Sequence, residues 1–209
     1  MRLCRSIVLP LLLSSLAVVA QKETAVRLAD VAWPVAEDAL DSSSIVVIPM
    51  GAGSKEHGAH LPLSCDLLQA TWITDRIAAT EHVVIAPEVN YGYYFFFTNF
   101  PGSTSVRFTV QRDMIVDICR RLSAFGPRRF YVINIGVSTV PPLRSAAEQL
   151  AREGILMRFT NMDKDPGENA LEKKICSQKE GTHADEVETS IMLYMHPDRV
   201  DMRDRKSVV

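Results

Sequence analysis

An α/β fold, with a mostly parallel sheet flanked by helices on both faces, is predicted from three observations. Short apolar runs of strand length alternate with segments whose apolar residues recur at three and four spacing. Gly126 and Gly154 stand where two of the helical segments should stop. The polar signals cluster after the strand-like runs, where loops leave the carboxyl ends of parallel strands and open sheets bind ligands.

The expected strands are Ile45–Pro49, His82–Pro87, Arg129–Ile135 and Ile155–Thr160. Between them Leu67–Ala79, Val110–Phe125 and Pro142–Glu153 read as helices, and a last helix is expected from about Ala184 to Met195. Thr182 is its expected cap, with Asp185 and Glu186 as first-turn acids. Residues 161–181 are polar and weakly periodic, which predicts a mobile connection or lid.

A chain of 209 residues suits one α/β domain with a full core. A net charge of -2 leaves no basic footprint, so nucleic acid is not an expected partner. Arg2 and Arg5 precede the apolar run Ile7–Val19, which contains Pro10 and ends before Gln21-Lys22-Glu23. That pattern predicts a signal peptide over residues 1–20, an exported product (periplasmic or secreted) and one domain over 21–209 with no membrane association once the leader is removed. Cys65, Cys119 and Cys176 then form no framework of pairs; Cys65 and Cys119 read as packing residues.

Most of the chemistry lies in Glu56-His57-Gly58-Ala59-His60-Leu61-Pro62-Leu63, closed by Asp66. Imidazole nitrogen and carboxylate oxygen hold zinc or manganese in hydrolytic sites, and a carboxylate between two ions can bridge them. Exposed His and Glu are also common in loops, but Gly58 and Pro62 suggest a fixed backbone and Ser44–Pro49 a buried strand delivering it. The aromatic segment Tyr91–Gly102 could wall a pocket, although core or subunit interface is the expectation.

With Pro49-x-Gly51, His57-Gly58-x-His60-Leu61-Pro62-Leu63-x-x-Asp66, Phe100-Pro101-Gly102, and His183-Ala184 with Glu188-Thr189-Ser190, the chain resembles the creatininase (creatinine amidohydrolase) family over roughly residues 44–196. The resemblance implies a three-layer sandwich, divalent metal (zinc or manganese, one or two ions), a small cyclic or linear amide as substrate, and a homo-oligomer, hexameric in many members. It implies His57 as a ligand of one ion and Asp66 as the carboxylate shared by two. His60 is implied as a supporting residue. His183 would relay protons or hold substrate, and Glu188 would be a ligand or the base that positions water.

The chain also departs from that pattern. Lys55 stands where the family has a Glu, one extra residue lies in Gly51-Ala52-Gly53-Ser54, and Glu56 is kept as a ligand on the expectation that a bulge aims it inward. After the third expected strand, Gly136 replaces a His ligand and Ser138 stands where some members have a Glu. The expected function is a metal-dependent amidohydrolase that cleaves a C–N bond with a metal-activated water. The alternative is a catalytically inactive binding protein of the same fold. The polar stop Arg203–Val209 raises the expectation of a truncated reading frame.

Overall fold

The computed structural model describes residues 24–161, 166–178 and 183–204. The expected leader over residues 1–20 and the expected cap Thr182 lie outside them. Five strands form one parallel sheet: β1 (Val26–Arg27), β2 (Ile45–Met50), β3 (Val84–Ile85), β4 (Arg129–Asn134) and β5 (Leu156–Phe159), in the order β1-β3-β2-β4-β5. Six α-helices accompany them among the described residues: α1 (Trp33–Ala39), α2 (Cys65–Thr80), α3 (Phe108–Ser123), α4 (Val140–Ala151), α5 (Pro166–Ile175) and α6 (Glu186–Met195).

Alternation along β2 and β4 builds the layers. Val46, Ile48 and Met50 join Phe130 and Val132 on one face, packed against Ile115, Val116 and Cys119 of α3 and Leu143, Ala146 and Leu150 of α4. Val47 and Ile133 point to the other face, against Ala70 and Ala78 of α2. Each fully buried Leu or Ile in such a core contributes about 1.5–3 kcal/mol. Beyond α2, Met192 of α6 packs with Leu61 and Cys65, so α6 is fastened over the loop that follows β2.

The chain leaves β2 for β3 on one side and later returns to β4 on the other. β2 and β4 therefore flank a reversal in strand order, where open α/β sheets form their ligand crevice. Pro49 lies within β2, not at its end, although proline cannot donate to a ladder. Its carbonyl accepts from Val89 N on the β3 side (2.8 Å), and its own nitrogen faces that side, where β3 has already ended at Ile85.

Several expectations are corrected. β3 has two residues, Val84 and Ile85, where His82–Pro87 suggested six, and these two pair with both β1 and β2. β1 and α1 were not expected: β1 exists through its register with β3, and α1 buries no residue that would mark a periodic face. Part of the segment expected to be a mobile connection forms α5. The cap of α6 is Asp185, which accepts from Val187 N (2.9 Å) and Glu188 N (3.0 Å).

Candidate metal centre

The loop after β2 begins with a close approach. A Cβ on Gly51 would collide with the carbonyl of Asp66, so glycine there lets the strand end touch the first turn of α2 and brings residues 51–66 back on themselves. The stretch that carries the extra residue is pinned at its end: Ser54 Oγ donates to Gly102 O, and Ser54 O accepts from Thr104 N (2.9 Å). Ser103 Oγ accepts from Glu56 N (2.9 Å). The Phe100-Pro101-Gly102 segment thus clamps this loop.

Asp66 is wholly buried. Its Oδ1 lies 2.6 Å from His57 Nε2 and its Oδ2 lies 2.8 Å from Lys55 Nζ. Burial alone would raise the Asp66 carboxyl, but the charges and hydrogen bonds of Lys55 and His57 outweigh it and hold the group well below the usual carboxylate range. Lys55 is also buried, with Nζ 4.9 Å from the centroid of Phe97 and 5.8 Å from that of Tyr94.

The second half of the site arrives with α6. His183 Nε2 is 3.0 Å from Glu56 Oε2, and His183 Nδ1 is 3.9 Å from Glu188 Oε2. Ala184, at φ +50°, takes the left-handed conformation and turns the chain between His183 and the cap Asp185. Its N–H donates to Glu188 Oε2 (2.5 Å). One ligand atom each from His57, His183 and Glu188 falls within 4.8 Å of the others.

Of the expected ligands Glu56, His57 and Asp66, that cluster includes His57, while His183 and Glu188, expected to be catalytic, supply its other members. Glu56 does point inward, but its carboxylate accepts from Gly58 N through one oxygen and meets His183 through the other. Asp66 adjoins the cluster through His57. His60 Nε2 meets Thr189 Oγ1 at 2.8 Å and ties the loop to α6, a supporting position. Cys65 accepts from Gln69 Nε2 (3.3 Å); burial, with Glu188 and Asp66 nearby, pushes its thiol far above its usual range, so it packs as a neutral group.

The donor chemistry fits a cation. The Lys55 carbonyl can only accept, so His57 Nδ1 donates to it (2.8 Å). The remaining nitrogen, Nε2, faces an anionic oxygen of Asp66 at 2.6 Å, a hydrogen-bond distance that a proton on Nε2 bridges and that a metal ion taking this nitrogen would displace. Likewise His183 can donate from Nε2 to Glu56 and present Nδ1 toward Glu188, the arrangement in which a carboxylate orients a ligating imidazole.

The loop after β4 offers nothing to this cluster. Asn134 Nδ2 donates to Gly136 O (2.7 Å) and Thr139 Oγ1 donates to Asn134 Oδ1 (2.6 Å), so the turn closes on itself. A Cβ on Gly136 would sit 2.9 Å from Thr139 Oγ1 and 3.6 Å from Tyr94 Cε1. The aromatic segment divides: Tyr94 is buried beside this turn, Phe95 and Phe96 are exposed, and Phe97 lies against His183 with ring centroids 4.5 Å apart. Phe97 is a site wall that the sequence, read for core and interface, did not single out.

A family profile described as Creatininase: Creatinine amidohydrolase matches residues 29–208. The chain belongs to the creatininase family. A creatinine amidohydrolase of Pseudomonas putida is 27% identical over 177 residues, which cover 76% of this chain and 66% of that protein. A mycofactocin precursor peptide peptidase of Mycobacterium ulcerans (strain Agy99) is 29% identical over 172 residues, covering 78% of this chain and 62% of that protein. The chain therefore spans less than two thirds of the length of these two relatives, both hydrolases of C–N bonds.

A solved structure described as Creatininase Mn superposes with a TM-score of 0.72 at 25% identity, covering 86% of this chain and 76% of that one. Solved creatininases of this fold also include a Zn-Zn type. The three-layer creatininase architecture expected from the sequence is thus present, and His57, His183 and Glu188 form a possible metal site within it.

Proposed function

We propose that this creatininase-family chain hydrolyses a C–N bond in a small cyclic or linear amide at a divalent metal centre held by His57, His183 and Glu188. The observation that carries the reading is the convergence of these three side chains at the carboxyl edge of the sheet. A divalent ion there would supply Lewis acidity and a water acidified to near neutral pH. Glu56 orients His183 through Nε2 and the Lys55 carbonyl orients His57 through Nδ1, which leaves one nitrogen of each imidazole for binding. Phe97 and Tyr94 give the pocket an apolar wall that limits access of bulk water.

A second reading, a binding protein without catalysis, is favoured by the turn at Gly136, which supplies no side chain where the sequence pattern expects a ligand. Metal analysis of the purified chain, with a hydrolysis screen on creatinine, hydantoins, lactams and short peptides, separates the two. Bound zinc or manganese with turnover of an amide supports the enzyme. Metal without turnover supports the binder, and absence of both metal and turnover after zinc or manganese is added sinks the metal reading.

A further inference from the structure

A buried ammonium needs an explanation, because removing Lys55 from water costs several kcal/mol unless a partner compensates it. Its partner is Asp66, and the pairing uses the carboxylate in a particular way. One oxygen faces His57 and the other faces Lys55 Nζ, so each side of Asp66 already has a nitrogen against it. A carboxylate that bridges two metal ions needs both sides.

The surroundings agree with a single ion. On the Lys55 side stand the rings of Phe97 and Tyr94, which bring no carboxylate or imidazole to a second ion. Gly136, beside the Tyr94 ring, contributes no donor. Charge gives the same count. Three carboxylates, Glu56, Asp66 and Glu188, balance one divalent ion plus the Lys55 ammonium, whereas a second divalent ion would leave two positive charges uncompensated in a largely buried site.

We infer that Lys55 is a built-in cation that takes the Oδ2 side of Asp66 in place of a second divalent ion, so that the centre binds one ion per chain, at His57, His183 and Glu188. The inference rests on the metal reading proposed above. It also specifies a reversal: a carboxylate at position 55 would give four acids, enough to balance two divalent ions.

The test uses the full chain, stripped with chelator and titrated with zinc alone, with bound metal counted by mass spectrometry after gel filtration and by calorimetry. Wild type is expected to hold one zinc and Lys55→Glu two. Two zinc ions on wild type overturn the inference and leave the metal reading standing; none on wild type overturns both. One zinc on a folded Lys55→Glu overturns the inference alone. Where Lys55→Glu does not fold, Lys55→Gln decides through its thermal midpoint. It should melt below wild type in chelator and gain more than wild type from saturating zinc, and an equal gain overturns the inference.

Discussion

His183 Nε2 meets Glu56 Oε2 at 3.0 Å across 127 residues of chain, and this contact joins the loop after β2 to the start of α6. An oriented imidazole is worth about 10–100-fold in metal affinity. Glu56→Ala should therefore weaken zinc binding by about that factor, with Glu56→Gln affected less because an amide oxygen still accepts from Nε2. Calorimetric titration of both variants checks this, and an unchanged dissociation constant would separate Glu56 from the centre.

Gly58 has φ +70°, and an added Cβ would sit 2.9 Å from His60 Nδ1 and 3.2 Å from Ala184 Cβ. Gly58→Ala should lose about 1–2 kcal/mol from the backbone conformation alone, and more if His60 is displaced from Thr189. Urea unfolding measures the loss. A fall in zinc affinity is expected alongside it, because His60 and Ala184 both border the site.

Gln111 is buried on α3, accepts from Tyr93 N (2.6 Å) and donates to Thr139 O (3.0 Å), so one side chain fastens both the aromatic loop and the turn after β4. Gln111→Leu leaves two backbone groups without these partners, at about 1–3 kcal/mol each where burial persists. Chemical denaturation should show a loss of that size. A variant as stable as wild type would mean that water replaces both bonds.

Acid should act through Asp66. Burial favours its neutral form, yet Lys55 and His57 depress its folded value below the unfolded one. The stability it contributes is then fully present above the ordinary carboxylate range, near pH 4, and is lost as pH falls through the folded value. In chelator, Asp66→Asn should be less stable than wild type at neutral pH, and the difference should shrink in strong acid. Melting curves of both proteins between neutral pH and about pH 2 give the comparison.

The elements most legible in the sequence were those with long periodic faces. α2, α3 and α4 lie within about two residues of their expected bounds because Ala70, Ile115 and Leu143 mark buried stripes that any helical reading finds. β3 was found but read too long, and β1 escaped because two residues carry no period of their own and form a strand only by pairing with β3. In the site, the residue types were visible but their pairings were not. Lys55 and Glu56 are neighbours in sequence, yet one turns to Asp66 and the other to His183, a division fixed by the loop clamped through Ser54 and Ser103. Phe97 was hidden among six similar rings, and only its place against His183 sets it apart.

The docking of α6 dates the chemistry of this chain. The two large apolar clusters draw only on residues before 160, whereas His183 and Glu188 come later. A nascent chain can thus close its sheet while holding a single imidazole of the future centre. An ion at the proposed centre would therefore act as an inspector, retained only by chains in which α6 has found its place.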